Sequence, residues 1–95
     1  MEQKYTEVLI SSEVDNITFE RLINRIIIHF KGEIISKVSD SDSSYYDFKI
    51  NSNLITLHKQ IFLGILIFPT HLNDASVECN SMVKIVGHDL KPFAI

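Results

Sequence analysis

The sequence predicts a single α+β domain spanning residues 1–95: a two-layer sandwich in which a mostly antiparallel sheet of about five strands carries two helices on one face, in the order β-α-β-β-β-β-α. Three observations carry that expectation. Phe19, Leu22, Ile23, Ile26, Ile27 and Phe30 recur at helical spacing and make one continuous apolar stripe. Several short segments alternate with the period of strands, separated by turn-forming residues. There is no linker, internal repeat or change of composition to divide the chain.

Taken in order, residues 5–10 place Thr6, Val8 and Ile10 on one face and Tyr5, Glu7 and Leu9 on the other, as a first strand does. Asp15 or Asn16 caps the first helix by accepting hydrogen bonds from its free backbone N–H groups, and Gly32 stops it. Residues 33–38 read as a second strand. A third alternates Tyr46, Phe48 and Ile50 against Tyr45, Asp47 and Lys49. Asn51-Ser52-Asn53 is turn chemistry, because asparagine tolerates left-handed backbone and bonds locally. Residues 54–58 form a fourth strand, with a tight connection at Lys59-Gln60 before a fifth over residues 62–68. That fifth strand is apolar on both faces, which places it centrally or under a second cover. Asn73 or Asp74 caps a last helix with the stripe Ala75, Cys79, Met82, Val83 and Val86, closing at Gly87, and residues 88–95 are irregular. The crossover through the first helix makes the first two strands parallel, neighbours or not.

Composition narrows the functional classes. A formal charge of −3, with 9 basic residues scattered along the chain, argues against nucleic acid, whose phosphates bind through clustered lysine and arginine. Cys79 is the lone cysteine, so no internal disulfide forms and a reducing, cytoplasmic setting fits. The start, Met1-Glu2-Gln3-Lys4-Tyr5, lacks a secretory pattern, and the longest apolar run is too short for a membrane helix. No membrane partner and no cofactor are expected. His29, His58, His71 and His88 have no metal-ligand spacing, and there is neither a nucleophile elbow nor a glycine-rich phosphate loop. Cys79 falls on the apolar stripe of its helix, as a small core residue does. The expectation is that the chain is not an enzyme.

The segment Ser39-Asp40-Ser41-Asp42-Ser43-Ser44-Tyr45-Tyr46-Asp47 is the candidate site. No basic residue lies between Lys37 and Lys49 to neutralise it. If the first two strands are parallel, the loop carrying Glu13 and Asp15 shares an end of the sheet with this acidic tip. Glu13, Asp15, Asp40 and Asp42, with Asp47 just inside, would then form one rim suited to a basic partner. Tyr45 and Tyr46 point to opposite faces, so one joins the core while the other stands out as an interface anchor. If the tip is only solvated loop, the sheet face around Ile65 and Ile67 is the alternative surface.

The strand block Tyr45-Tyr46-Asp47-Phe48-Lys49-Ile50-Asn51-Ser52-Asn53-Leu54-Ile55-Thr56-Leu57-His58, followed by Gly64-Ile65-Leu66-Ile67-Phe68 in a small, mildly acidic chain, resembles the immunity proteins of bacterial polymorphic-toxin and contact-dependent growth inhibition systems. The resemblance is architectural and covers most of the chain. It implies a cytoplasmic protein that binds and neutralises a cognate toxin domain, such as a nuclease, by laying an acidic rim in its basic cleft. Two other readings stay open: a small binding module or subunit of another complex, and a small-molecule-binding or enzymatic α+β domain.

Overall fold

In the computed structural model, which describes residues 5–94, nine segments follow one another. They are β1 (Val8–Ser11), α1 (Asn16–His29), β2 (Glu33–Ser39), β3 (Ser43–Ile50), β4 (Asn53–Gln60), β5 (Gly64–Pro69), a 3-10 turn (Leu72–Asp74), α2 (Val77–Leu90) and a second 3-10 turn (Lys91–Ala94). Residues 1–4, read above as lacking a leader, and Ile95 lie outside the described residues. The five strands form one sheet in the order β1-β5-β4-β3-β2, and every neighbouring pair is antiparallel. Four reversals across the sheet leave β1 and β2 pointing the same way, as expected, but at opposite edges.

Both helices cover one face. Val8, Ile10, Phe48, Ile50, Ile55, Leu57, Ile65 and Ile67 from the sheet form one buried cluster with Phe19, Leu22, Ile23 and Ile26 of α1 and Cys79, Val83, Val86 and Leu90 of α2. Asp15 is the cap of α1: its Oδ1 accepts from the Thr18 backbone N–H at 2.8 Å and its Oδ2 from the Thr18 hydroxyl at 2.8 Å. Those bonds hold its carboxyl below the usual range. Phe30 caps the helix end, after which Lys31 takes the left-handed backbone (φ 59°) and the Gly32 N–H returns to the Ile26 carbonyl. Of the six stripe residues, Ile27 is 36% exposed, at the margin of the contact with the sheet. Arg25 ties the helices together with two 3.0 Å bonds to Asp89 of α2, and its guanidinium lies 4.4 Å from the Phe93 ring centre.

Asn51 and Ser52 both have positive φ (48° and 73°), as a two-residue type I′ hairpin demands, and they close β3 on β4. The last helix departs from expectation. Asn73 and Asp74 sit in the 3-10 turn, and Ser76 is the cap, its hydroxyl accepting from the Cys79 N–H at 3.0 Å. Gly87 does not end the helix, which runs on to Leu90, so residues 88–94 are helical rather than irregular. A Cβ at Gly87 would stand 2.8 Å from Val8 Cβ; its absence lets α2 press on β1. The fifth strand starts at Gly64, while β4 continues to Gln60, so Ile61, Phe62 and Leu63 form the turn. As expected of a strand apolar on both faces, β5 lies inside the sheet, between β1 and β4.

Candidate functional site

Three connections meet at one end of the sheet: residues 12–15 after β1, the β2–β3 turn at residues 40–42, and the β4–β5 turn at residues 61–63. The β2–β3 turn is built around Asp40. Its Oδ1 accepts from the backbone N–H groups of Asp42 (2.9 Å) and Ser43 (2.8 Å), while its own N–H donates to the Ser43 carbonyl at 2.8 Å. An aspartate that bonds the backbone two and three residues on is a turn-forming device, and these bonds hold its carboxyl below the usual range. The Ile61 N–H donates to the Asp42 carbonyl at 3.0 Å, stitching the two turns together.

Between these connections lies a cleft of about 120 Å³ lined by Val14, residues 40–44, Lys59 and Ile61. Lys59 reaches it because Ser44 pairs with Lys59 across β3 and β4. Its ammonium donates to the Asn16 Oδ1 and lies 5.2 Å from the Phe19 ring centre. The acidic tip that looks unneutralised along the chain therefore carries a lysine in space. Glu13 is exposed on the adjoining loop, its N–H bonded to the Ser11 hydroxyl at 3.0 Å.

The predicted rim divides. Asp40, Asp42 and the Glu13 loop share this end, whereas Asp15 is occupied as the helix cap. Asp47 stands apart, five residues beyond Asp42 and so roughly 17 Å down the strand direction. There its Oδ1 accepts from the Thr56 hydroxyl at 2.7 Å, and Thr56 contacts the Thr70 hydroxyl at 2.9 Å. Tyr46 packs edge-on against Phe19 with ring centres 5.3 Å apart, on the helix side. Tyr45 is the outward one of the pair, 41% exposed.

Tyr45 belongs to the sheet face that, among the described residues, no helix covers. It stacks on His58 with ring centres 4.1 Å apart and 16° between planes, and Phe68 meets His58 edge-on at 6.0 Å. His58 is buried, its Nδ1 donating to the Ser44 carbonyl at 3.0 Å. One row crosses all five strands on this face: Val38, Tyr45, His58, Leu66 and Leu9. Ile65 and Ile67, named above as the alternative surface, point into the core and are fully buried; Leu66, also buried, and the half-buried Phe68 lie on the opposite face of β5.

A second cleft, of about 160 Å³, lies at the other end of the sheet and gathers Ser52, His71, Asp74, Ser76 and Cys79. The Cys79 thiol donates to the Leu54 carbonyl at 3.4 Å, and burial raises its pKa. Burial outweighs the opposing effect of the Leu54 backbone hydrogen bond and disfavours the thiolate, so the thiol is held unreactive. Among the described residues, no group of three or more histidine, cysteine, aspartate or glutamate side chains could hold a metal ion, and no helix is long and apolar enough to cross a membrane.

Lys59, His58 and the apolar turn were not among the candidates from sequence. Strand pairing brings Lys59 and His58 into place. The turn has a signal of its own in Gln60-Ile61-Phe62-Leu63-Gly64, where a glycine closes a three-residue connection. No family model, curated protein or solved structure matches the chain.

Proposed function

We propose that this protein is an inhibitor of the immunity class, which binds the toxin domain of a bacterial effector and covers its basic active-site cleft with the acidic end of the sheet. The observation that supports the reading most is the gathering of Asp40, Asp42 and the Glu13 loop around one end of the fold, beside exposed apolar side chains. Opposed fields of this kind accelerate encounter and set orientation. The two clefts, of about 120 and 160 Å³, fall below the roughly 300–1,000 Å³ of small-molecule pockets, which favours a protein partner. Tyr45, stacked on His58, is a second anchor on the helix-free face. The helix-free face, on which Val38, Tyr45 and Leu9 are exposed, equally suits a subunit of another complex.

Two measurements test the reading. An immunity gene lies directly downstream of a large toxin gene, and the toxin domain encoded there should lose activity on adding a stoichiometric amount of this protein. The association rate should fall with salt, as the Debye length shortens from about 10 Å at 0.1 M to about 3 Å at 1 M. Reversing Asp42 and Glu13 to lysine should slow association while leaving the fold intact. Asp40 is changed only to asparagine, which removes the charge and keeps the Oδ1 acceptor that holds the turn. Undiminished toxin activity in the presence of excess protein would overturn the proposal.

A further inference from the structure

The β4–β5 turn presents Ile61, Phe62 and Leu63 to solvent, 49%, 85% and 61% exposed. Turns are ordinarily filled by glycine, asparagine, aspartate or serine, for their backbone freedom or local hydrogen bonding. Three large apolar residues in one turn do neither, and so exposed they add little to the core. The turn is nevertheless firmly held. The Phe62 N–H donates to the Gln60 Oε1 at 2.8 Å, the Leu63 N–H to the Gln60 carbonyl at 3.0 Å, and the Ile61 N–H to the Asp42 carbonyl at 3.0 Å. Gly64 closes it at φ +107°, against the Ser11 carbonyl of β1. A side chain presented on such a turn loses little freedom on binding, which is what makes a preorganised anchor effective.

Its surroundings decide between occupants. The tip is bonded directly to the acidic turn of Asp40 and Asp42, and Glu13 lies on the neighbouring loop at the same end. A lipid surface also accepts an apolar turn, but anionic headgroups repel carboxylates flanking it. A protein pocket rimmed by lysine and arginine complements both parts at once: an apolar centre for Phe62 and opposite charge around it.

We propose that the Ile61-Phe62-Leu63 turn is a docking anchor, with Phe62 entering an apolar pocket of a partner protein whose rim is basic. This rests on the reading of the acidic end as a protein-binding surface, and the test separates the two. The full chain is immobilised and a displayed library of small protein domains is selected against it. Each enriched binder is then measured on wild type, on Phe62→Ser, and on the Asp42→Lys, Glu13→Lys pair. Thermal melts check that each variant folds as wild type does.

The expected binders carry an apolar residue flanked by lysine or arginine. They dissociate about tenfold faster or more from Phe62→Ser and associate several-fold more slowly with the charge-reversed protein. Binders indifferent to Phe62→Ser but sensitive to charge reversal overturn the anchor and leave the acidic surface standing. Binders lost on Phe62→Ser but indifferent to charge reversal keep the anchor and overturn the acidic reading. An absence of enriched binders overturns the anchor. So does Phe62-dependent sedimentation with vesicles of phosphatidylcholine and phosphatidylglycerol, which would assign the turn to a membrane.

Discussion

Replacing Gly64 by alanine should be among the most damaging changes a single methyl group can make in this protein. Gly64 has φ +107°, a backbone that side-chain-bearing residues rarely adopt, and its ideal Cβ would stand 2.2 Å from the Ser11 carbonyl oxygen and 3.1 Å from Ser12 Cα. The atoms in the way are backbone, so no side chain can rotate to make room. Strained backbone costs about 1–3 kcal/mol, and overpacking of this kind costs about 1–3 kcal/mol more. The stiffer unfolded chain returns only about 0.4–1 kcal/mol. A net loss of about 1–5 kcal/mol follows, against a total near 5–14 kcal/mol for a domain of this length. Near the midpoint this lowers Tm by on the order of 5–40 °C. Urea and thermal unfolding of Gly64→Ala against wild type measure it, with Gly87→Ala as comparison, because there the obstructing atoms belong to the Val8 side chain. A Tm within about 2 °C of wild type would refute the geometry of the β4–β5 turn and its approach to β1.

Leu22→Ala and Ile26→Ala, each at a fully buried position of α1, should cost about 2–5 kcal/mol. Ile27→Ala, at the exposed margin, should cost less than about 1 kcal/mol; equal costs in chemical denaturation would mean the helix is rotated. The Cys79 thiol should react with a small maleimide only as the protein unfolds, and rapid labelling of native protein would show that the thiol is accessible. Hydrogen bonds from Arg25, and then its charge, hold the Asp89 carboxyl below its ordinary value of 3.8. The stability Asp89 contributes is therefore complete above 3.8 and is lost as pH falls through the lower folded value. The deficit of Asp89→Asn relative to wild type should shrink over that acidic range, and a deficit constant with pH would exclude the ion pair as its cause.

The elements that could be read along the chain are those whose information is local. The α1 stripe, its Asp15 cap and the Asn51-Ser52 turn each declare themselves within a few residues. The errors fall where a distant contact decides. Phe62 and Leu63 look like strand because they are apolar, yet Gln60, the Asp42 carbonyl and Gly64 bend them, with Ile61, into a turn. Gly87 looks like a stop, but its missing side chain makes room for Val8, some eighty residues earlier in the chain. Asp40 and Asp42 looked alike; only Asp40 turns its carboxylate inward to hold the loop, a habit of aspartate in serine-rich turns that the sequence does advertise. Lys59 is a two-dimensional fact, set by the register Ser44 to Lys59, so the charge balance of the tip cannot be counted along the chain.

β1 is the seam of the sheet. Each of the other pairings joins strands consecutive in sequence through a short turn, so residues 33–69 form a meander of local contacts. β1 instead docks on β5 from the far end of the chain, Val8 facing Ile67 and Leu9 facing Leu66. Synthesis releases it first and its partner strand late, and until then it has no ladder to join. Residues 12–15 alone connect it to α1, and the β1 of a second copy would offer an open β5 edge the same backbone and the same side chains. Were the chain to misassemble, exchange of this strand between copies is the form the topology would favour.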